Sequence, residues 1–278
     1  MSEKFFLLPL AALLLSACSV SPVSVDPKAS FALNVVKAAG MDHRLKDKLL
    51  PKDTVSSFTD SAGFGLAYAA SGYTTSLPGF NPTEVIGLNF AAWLLAPKPP
   101  SARNSVIAWM PDSLAAGGAE DNLADILLEG ASQGVAALGY TAKKSIAGGG
   151  TDKSGVAVYL LGPEGSLCEE NKHGYSGCWI NFGIRNAKQK GQTPEIVGFK
   201  GGSWFFDPAA SSYSRFGFSK INTGLNELDI LVSVSQFLPQ WVYFYVAPRK
   251  INLGHELPVN KAPLIINRGR VHYFITTE

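Results

Sequence analysis

The sequence predicts an α+β fold: an antiparallel or mixed sheet with helices on one face, preceded by a short tether and a helical or irregular N-terminal region. Three observations predict it. From residue 101 onward, short strand-like runs alternate with two helix-like runs, in the order strand, helix, strand, strand, further strands, helix, strand. The strand runs are rich in Val, Ile, Phe, Tyr and Trp, which suit a pleated, half-buried surface. Hydrophobic residues make up 46% of the 278 positions, enough for a sizeable core, and no internal repeat organises them otherwise.

The chain opens with Lys4, an apolar run from Phe5 to Leu15, and the small pair Ser16-Ala17 ahead of Cys18. Charge, apolar stretch and small residues form the three parts of a secretory signal. The run falls short of the roughly 20 residues that span a bilayer. Leu15-Ser16-Ala17-Cys18 resembles the lipobox of bacterial lipoproteins, a resemblance confined to these residues and the segment before them. It implies cleavage before Cys18, acylation of that thiol by a diacylglycerol and often acylation of the new amino group. It implies no transmembrane helix, because two or more acyl chains anchor stably at about 0.8 kcal/mol per buried methylene. Lipoproteins with Asp after the cysteine tend to stay in the inner membrane. Ser19 follows Cys18 here, which by the same resemblance implies the periplasmic face of the outer membrane. The expected organisation is a signal peptide over 1–17, a tether over 18–27, a helical or irregular region over 28–100 and an α+β domain over 101–278.

Within the tether, "SVSPVSVD" is small, polar and proline-containing. Residues 28–39 predict a short helix stopped at Gly40, and 62–80 have no clean period and read as irregular. Asn81-Pro82-Thr83-Glu84 is a sharp helix start, with a capping side chain, Pro at the first helical position and a returning Glu. The helix it opens, to about Leu95, is apolar on nearly all sides and must be buried by something. A central core helix is one reading. A docking surface for a partner or the bilayer, with Trp93 as its contact, is the other.

Ser105 to Met110 then predicts a strand, and 119–138 a helix with Leu123, Ile126, Leu127, Ala131, Gly134 and Leu138 on one face. Tyr140 to Ile146 and Val156 to Leu161 read as strands, the second apolar on both faces and so central. Trp179 to Ile184 is another strand. "EIVGFKGGSWFFD" reads as a hairpin turning at Gly201-Gly202. Thr223 is the expected cap of a second helix, with Glu227 and Asp229 near its positive end and Leu225, Leu228, Leu231, Val232 and Leu238 inward, ended by Pro239. Trp241 to Ala247 and Val271 to Thr276 close the sheet.

The sequence offers little catalytic chemistry. Cys168 and Cys178 are the two cysteines left once Cys18 carries lipid, and an even pair in a secreted chain reads as a disulfide. A reactive thiol or a metal pair would need further ligands nearby. The loop between them, "CEENKHGYSGC", holds Glu170 and His173 at an E-x-x-H spacing, but glycines break any helix there and no second copy exists. Ser176 lacks a nucleophile-elbow setting. The four histidines show no ligand spacing, and the glycine pairs and triplets read as turns. Alternation in Trp241-Val242-Tyr243-Phe244-Tyr245 fits either a half-buried strand or a stacking platform for glycan. No cofactor, metal site or catalytic residue is named by these patterns. With 17% charged residues, a formal charge of +2 and no basic run, nucleic acid finds no electrostatic footprint.

The leading expectation is a lipid-anchored cell-envelope protein that presents a periplasmic domain to a protein partner, in an assembly of the secretion, conjugation or pilus kind. Glu169, Glu170 and His173 on the stapled loop, with Trp93, are the candidate partner contacts, since binding residues often sit on loops held by a rigid scaffold. The alternatives are a lipid-anchored hydrolase acting on peptidoglycan or glycan, and a ligand-binding lipoprotein with a deep aromatic pocket.

Overall fold

Two antiparallel sheets and three helices share one core in the computed structural model, which describes residues 23–41, 45–50, 103–146, 155–166, 168–210, 214–218, 227–247 and 263–277. The helices are α1 (Phe31–Ala38), α2 (Ala119–Ala137) and α3 (Glu227–Gln236). The strands are β1 (Lys48–Leu50), β2 (Ser105–Pro111), β3 (Thr141–Ile146), β4 (Gly155–Leu161), β5 (Trp179–Gly183) and β6 (Ala187–Lys190). They continue with β7 (Ser203–Phe206), β8 (Arg215–Phe218), β9 (Val242–Val246), β10 (Leu264–Asn267), β11 (Arg270–Tyr273) and β12 (Ile275–Thr277). The larger sheet runs β11-β10-β9-β2-β7-β6 and the smaller β3-β4-β5-β8, while β1 pairs in parallel with β12. The fold is α+β.

The larger sheet is buried along its middle. All five residues of β9 and the first six of β2 are inaccessible. Strand alternation sends Tyr243 and Phe244 to opposite faces. On one face, Tyr243 meets Trp109 edge-on at 5.7 Å and Trp109 stacks on Phe205 at 5.1 Å. On the other, Phe244 stacks on Phe182 of β5 and meets Phe216 of β8 edge-on at 5.2 Å, so the smaller sheet packs there. With both faces of β9 covered, its aromatic alternation is core packing, and the glycan-platform reading falls.

The two long helices belong to that second side. α2 is tied to the smaller sheet by an ion pair between Glu129 and Lys144 of β3, and α3 packs on β9, β10 and β11. They touch almost backbone to backbone. A Cβ on Gly134 would lie 2.5 Å from the Cα of Val234, and the Ser233 hydroxyl donates to the Gly134 carbonyl at 2.8 Å. The face expected for α2 is buried at Leu123, Leu127, Ala131 and Gly134, with Ile126 and Leu138 half-buried.

α1 lies on the Tyr243 face. Its Phe31 ring sits 6.2 Å from Tyr243 and 4.3 Å from His272. The Ser30 hydroxyl accepts from the Leu33 amide as an N-cap, and Gly40 leaves the helix at φ +70°, where a glycine relieves strain. Ser30 also donates to the Asp47 carboxylate, which joins α1 to the segment entering β1.

Several strand expectations need correction. "EIV" at 195–197 is a short 3-10 helix: Pro194 precedes it at φ −58° and Gly198 follows at φ +81°. The partner of β7 is instead "AKQK", β6, an edge strand whose lysines give no apolar alternation, and the connection runs through 191–202. The "LIIN" strand β10 was not expected. It pairs with β11 through Arg268 and Gly269, both at positive φ, a two-residue turn that fits the strand twist. The predicted strand 271–276 is two strands, broken at Phe274, so that β12 can reach β1. Thr223, Leu225, residues 62–80 and the predicted helix at 81–95 lie outside the described residues.

Candidate interaction surface

The smaller sheet has one face turned away from the core, and the sequence folds a loop over it. In β4, Val156, Val158 and Leu160 are fully buried, so Tyr159 between them points outward. The register aligns Lys143 of β3, Tyr159 of β4 and Trp179 of β5 in one row across three strands. Tyr175, from the loop before β5, meets Tyr159 edge-on at 4.8 Å, and Tyr159 lies 5.8 Å from Trp179. Lys143 places its ammonium 4.1 Å from the centre of the Tyr175 ring and donates to the Gly174 carbonyl. Such a cation over an aromatic face is attracted by the ring quadrupole.

The loop is held at both ends and in its middle. Cys168 and Cys178 form a disulfide with Cα atoms 5.4 Å apart, both buried. Backbone amides continue the sheet past it: Gly162 donates to the Cys168 carbonyl at 2.8 Å and Leu160 to the Cys178 carbonyl at 2.9 Å. Ser176 is a structural hydroxyl. It is buried, donates to the Leu160 carbonyl at 2.6 Å and accepts from the Cys178 amide. Asn171 organises the tip, its side-chain oxygen accepting from the amides of His173 and Tyr175. Gly174 takes φ +77° to complete the turn.

The candidate contacts from the sequence separate here. Glu169, Glu170 and His173 are all exposed on this loop. Glu169 is occupied, its carboxylate accepting from the Gly165 amide at 3.1 Å, whereas Glu170 approaches Gly174 beside Lys143. Among the described residues no three His, Cys, Asp or Glu side chains converge as metal ligands. Cys18 and Trp93 lie outside the described residues. Sequence reasoning missed Lys143, Tyr159, Tyr175 and Trp179. Their signal was available: a loop stapled at the edge of a strand folds back over that sheet, and it carries one aromatic, Tyr175, between two glycines.

His272 is the described histidine with a perturbed environment. Burial, helped by the Arg270 charge, pushes its imidazole down to about 4, and it packs as a neutral ring against Phe31. That is a packing role, remote from the loop. Compared with known protein families, curated proteins and solved structures, the chain matches none.

Proposed function

We propose that the protein is a lipid-anchored component of the bacterial envelope, held by acylated Cys18 at the periplasmic face of the outer membrane, and that it offers its α+β domain to a protein partner. The observation that carries the partner reading is the outward face of the smaller sheet. A disulfide-stapled loop there presents Tyr175, 38% exposed, among Lys143, Tyr159 and the carboxylates of Glu169 and Glu170. Aromatic side chains are what interface centres are enriched in, polar groups belong to the rim around them, and a rigid loop lowers the entropy cost of binding. The disulfide suits an oxidising compartment. Among the described residues no helix is long and apolar enough to cross a membrane. A partner within a secretion, conjugation or pilus assembly fits this placement.

The test has two arms. Palmitate labelling of cells expressing the wild type and Cys18→Ser reads the anchor, and label on the wild type alone is expected. A photo-crosslinking residue at position 175, compared with one at the exposed position 188 of β6, reads the partner. A discrete crosslinked product from 175 and none from 188 supports the surface; equal products, or none from either, sink it.

A further inference from the structure

The way the chain enters the fold fixes more than its attachment. Val23 is five residues past Cys18, a distance the backbone covers with at most about 18 Å fully extended. From there the chain is tied down at once. The Val25 amide donates to the Glu195 carboxylate at 3.4 Å, and the Asp26 amide donates to the Asn34 side chain of α1 at 2.9 Å. Asp26 also pairs with Lys37, and the Asn34 amide returns bonds to the carbonyls of Asp26, Ala29 and Ser30. The entering segment therefore lies across α1 and the short helix at 195–197, whose Ile196 carbonyl accepts from the Tyr243 hydroxyl. This is the Tyr243 face of the larger sheet.

The Tyr175 loop lies at the other end of the stack. The order of layers is α1, larger sheet, smaller sheet, loop: Phe31 contacts Tyr243, Phe244 contacts Phe182, and Tyr175 covers the outward Tyr159. Packed layers are roughly 10 Å apart, which puts the loop some 25 Å beyond α1. The tether is too short to swing the domain over. The α1 side also carries exposed apolar groups, Val23 at 45% and, two residues past the Asp47 that binds Ser30, Leu49 at 55%. Exposed Lys28 and Lys46 flank them.

We propose that the α1 side of the domain is its membrane-contact surface, with Val23 and Leu49 at the lipid boundary and the Tyr175 loop directed away from the bilayer. This rests on acylation of Cys18. The test uses the full acylated chain in phosphatidylethanolamine–phosphatidylglycerol vesicles that contain a headgroup nitroxide lipid. A thiol-linked fluorophore is placed in turn at Lys28→Cys, Lys46→Cys and Lys172→Cys, each an exposed position, and each variant is melted to confirm the fold. Quenching at positions 28 and 46 is expected to exceed that at 172 at least threefold. Equal quenching, or more at 172, in palmitate-labelled protein overturns the orientation while leaving the anchor intact. Absence of label on Cys18 overturns the anchor and the orientation together.

Discussion

Strands β9 and β4 look alike in sequence and live differently. Both are apolar at every second position on both faces, and both lie inside a sheet. β9 is sealed by α1 and the short 3-10 helix on one side and by the smaller sheet on the other. β4 is sealed fully on its inner face; on its outer face Ala157 is buried but Tyr159, under one disulfide loop, stays half-exposed. The difference teaches that apolar content on two faces specifies burial but not by what. Where the cover is a sheet or helix, the residue is core. Where it is a stapled loop, the same residue type becomes the base of a surface.

Substitutions on the two strands should separate these roles. The largest effect is expected on β9: Phe244→Ala removes a fully buried ring that meets Phe182 and Phe216. A loss of about 3–5 kcal/mol in urea unfolding is expected, as for other large aromatic truncations. Next is the cover of β4. Replacing both Cys168 and Cys178 by serine should cost about 2–3 kcal/mol on the chain-entropy account. It should also raise proteolysis within 168–178 while cleavage in β9 stays unchanged. Gly134→Ala pushes α2 off α3 and should cost about 1–3 kcal/mol, since backbone rather than a flexible side chain must yield.

The α1 cover of β9 is open to a pH test. The folded imidazole of His272 titrates near 4, below its ordinary 6.5, so the folded state binds fewer protons than the unfolded state. Its contribution is fully present above pH 6.5 and is lost as pH falls from 6.5 through about 4. Melting temperature should fall more steeply across that window in the wild type than in His272→Gln, and parallel curves would remove the histidine from the account. The smallest effect belongs to the outer face: Tyr175→Ser should cost about 1 kcal/mol, for the ring pair with Tyr159 and the Lys143 contact it gives up, yet lose the crosslink formed from a probe at the neighbouring exposed position 172. A large destabilisation would return Tyr175 to structure.

What could be read from the sequence follows the same division. α1 with its stop at Gly40, the inward face of α2, β2, β4, β5 and β9, and the disulfide all followed from period, the glycine stop and cysteine count, while the Ser30 cap of α1 did not. β6 escaped because an edge strand of alternating Lys and polar residues leaves no apolar mark. β10 escaped because its turn is Arg-Gly, and the arginine's positive φ has no strong local signature. At 195–197 a β-branched pair imitated a strand, while the proline before it and the glycine after it set a helical turn. The disulfide loop was legible as a unit. The sheet face beneath it was not, since alternation alone does not say which apolar face stays wet.

The parallel pairing of β1 with β12 joins residues near opposite ends of the chain, Lys48 beside Ile275 and Leu50 beside Thr277. A ribosome delivers the first of these long before the last. β2 waits in the same way for β9, and closing such long segments costs entropy before any contact rewards it. The early strands therefore wait through synthesis without partners, with both apolar faces of β2 open to association until β9 arrives. β1, made early, is among the last strands to be paired.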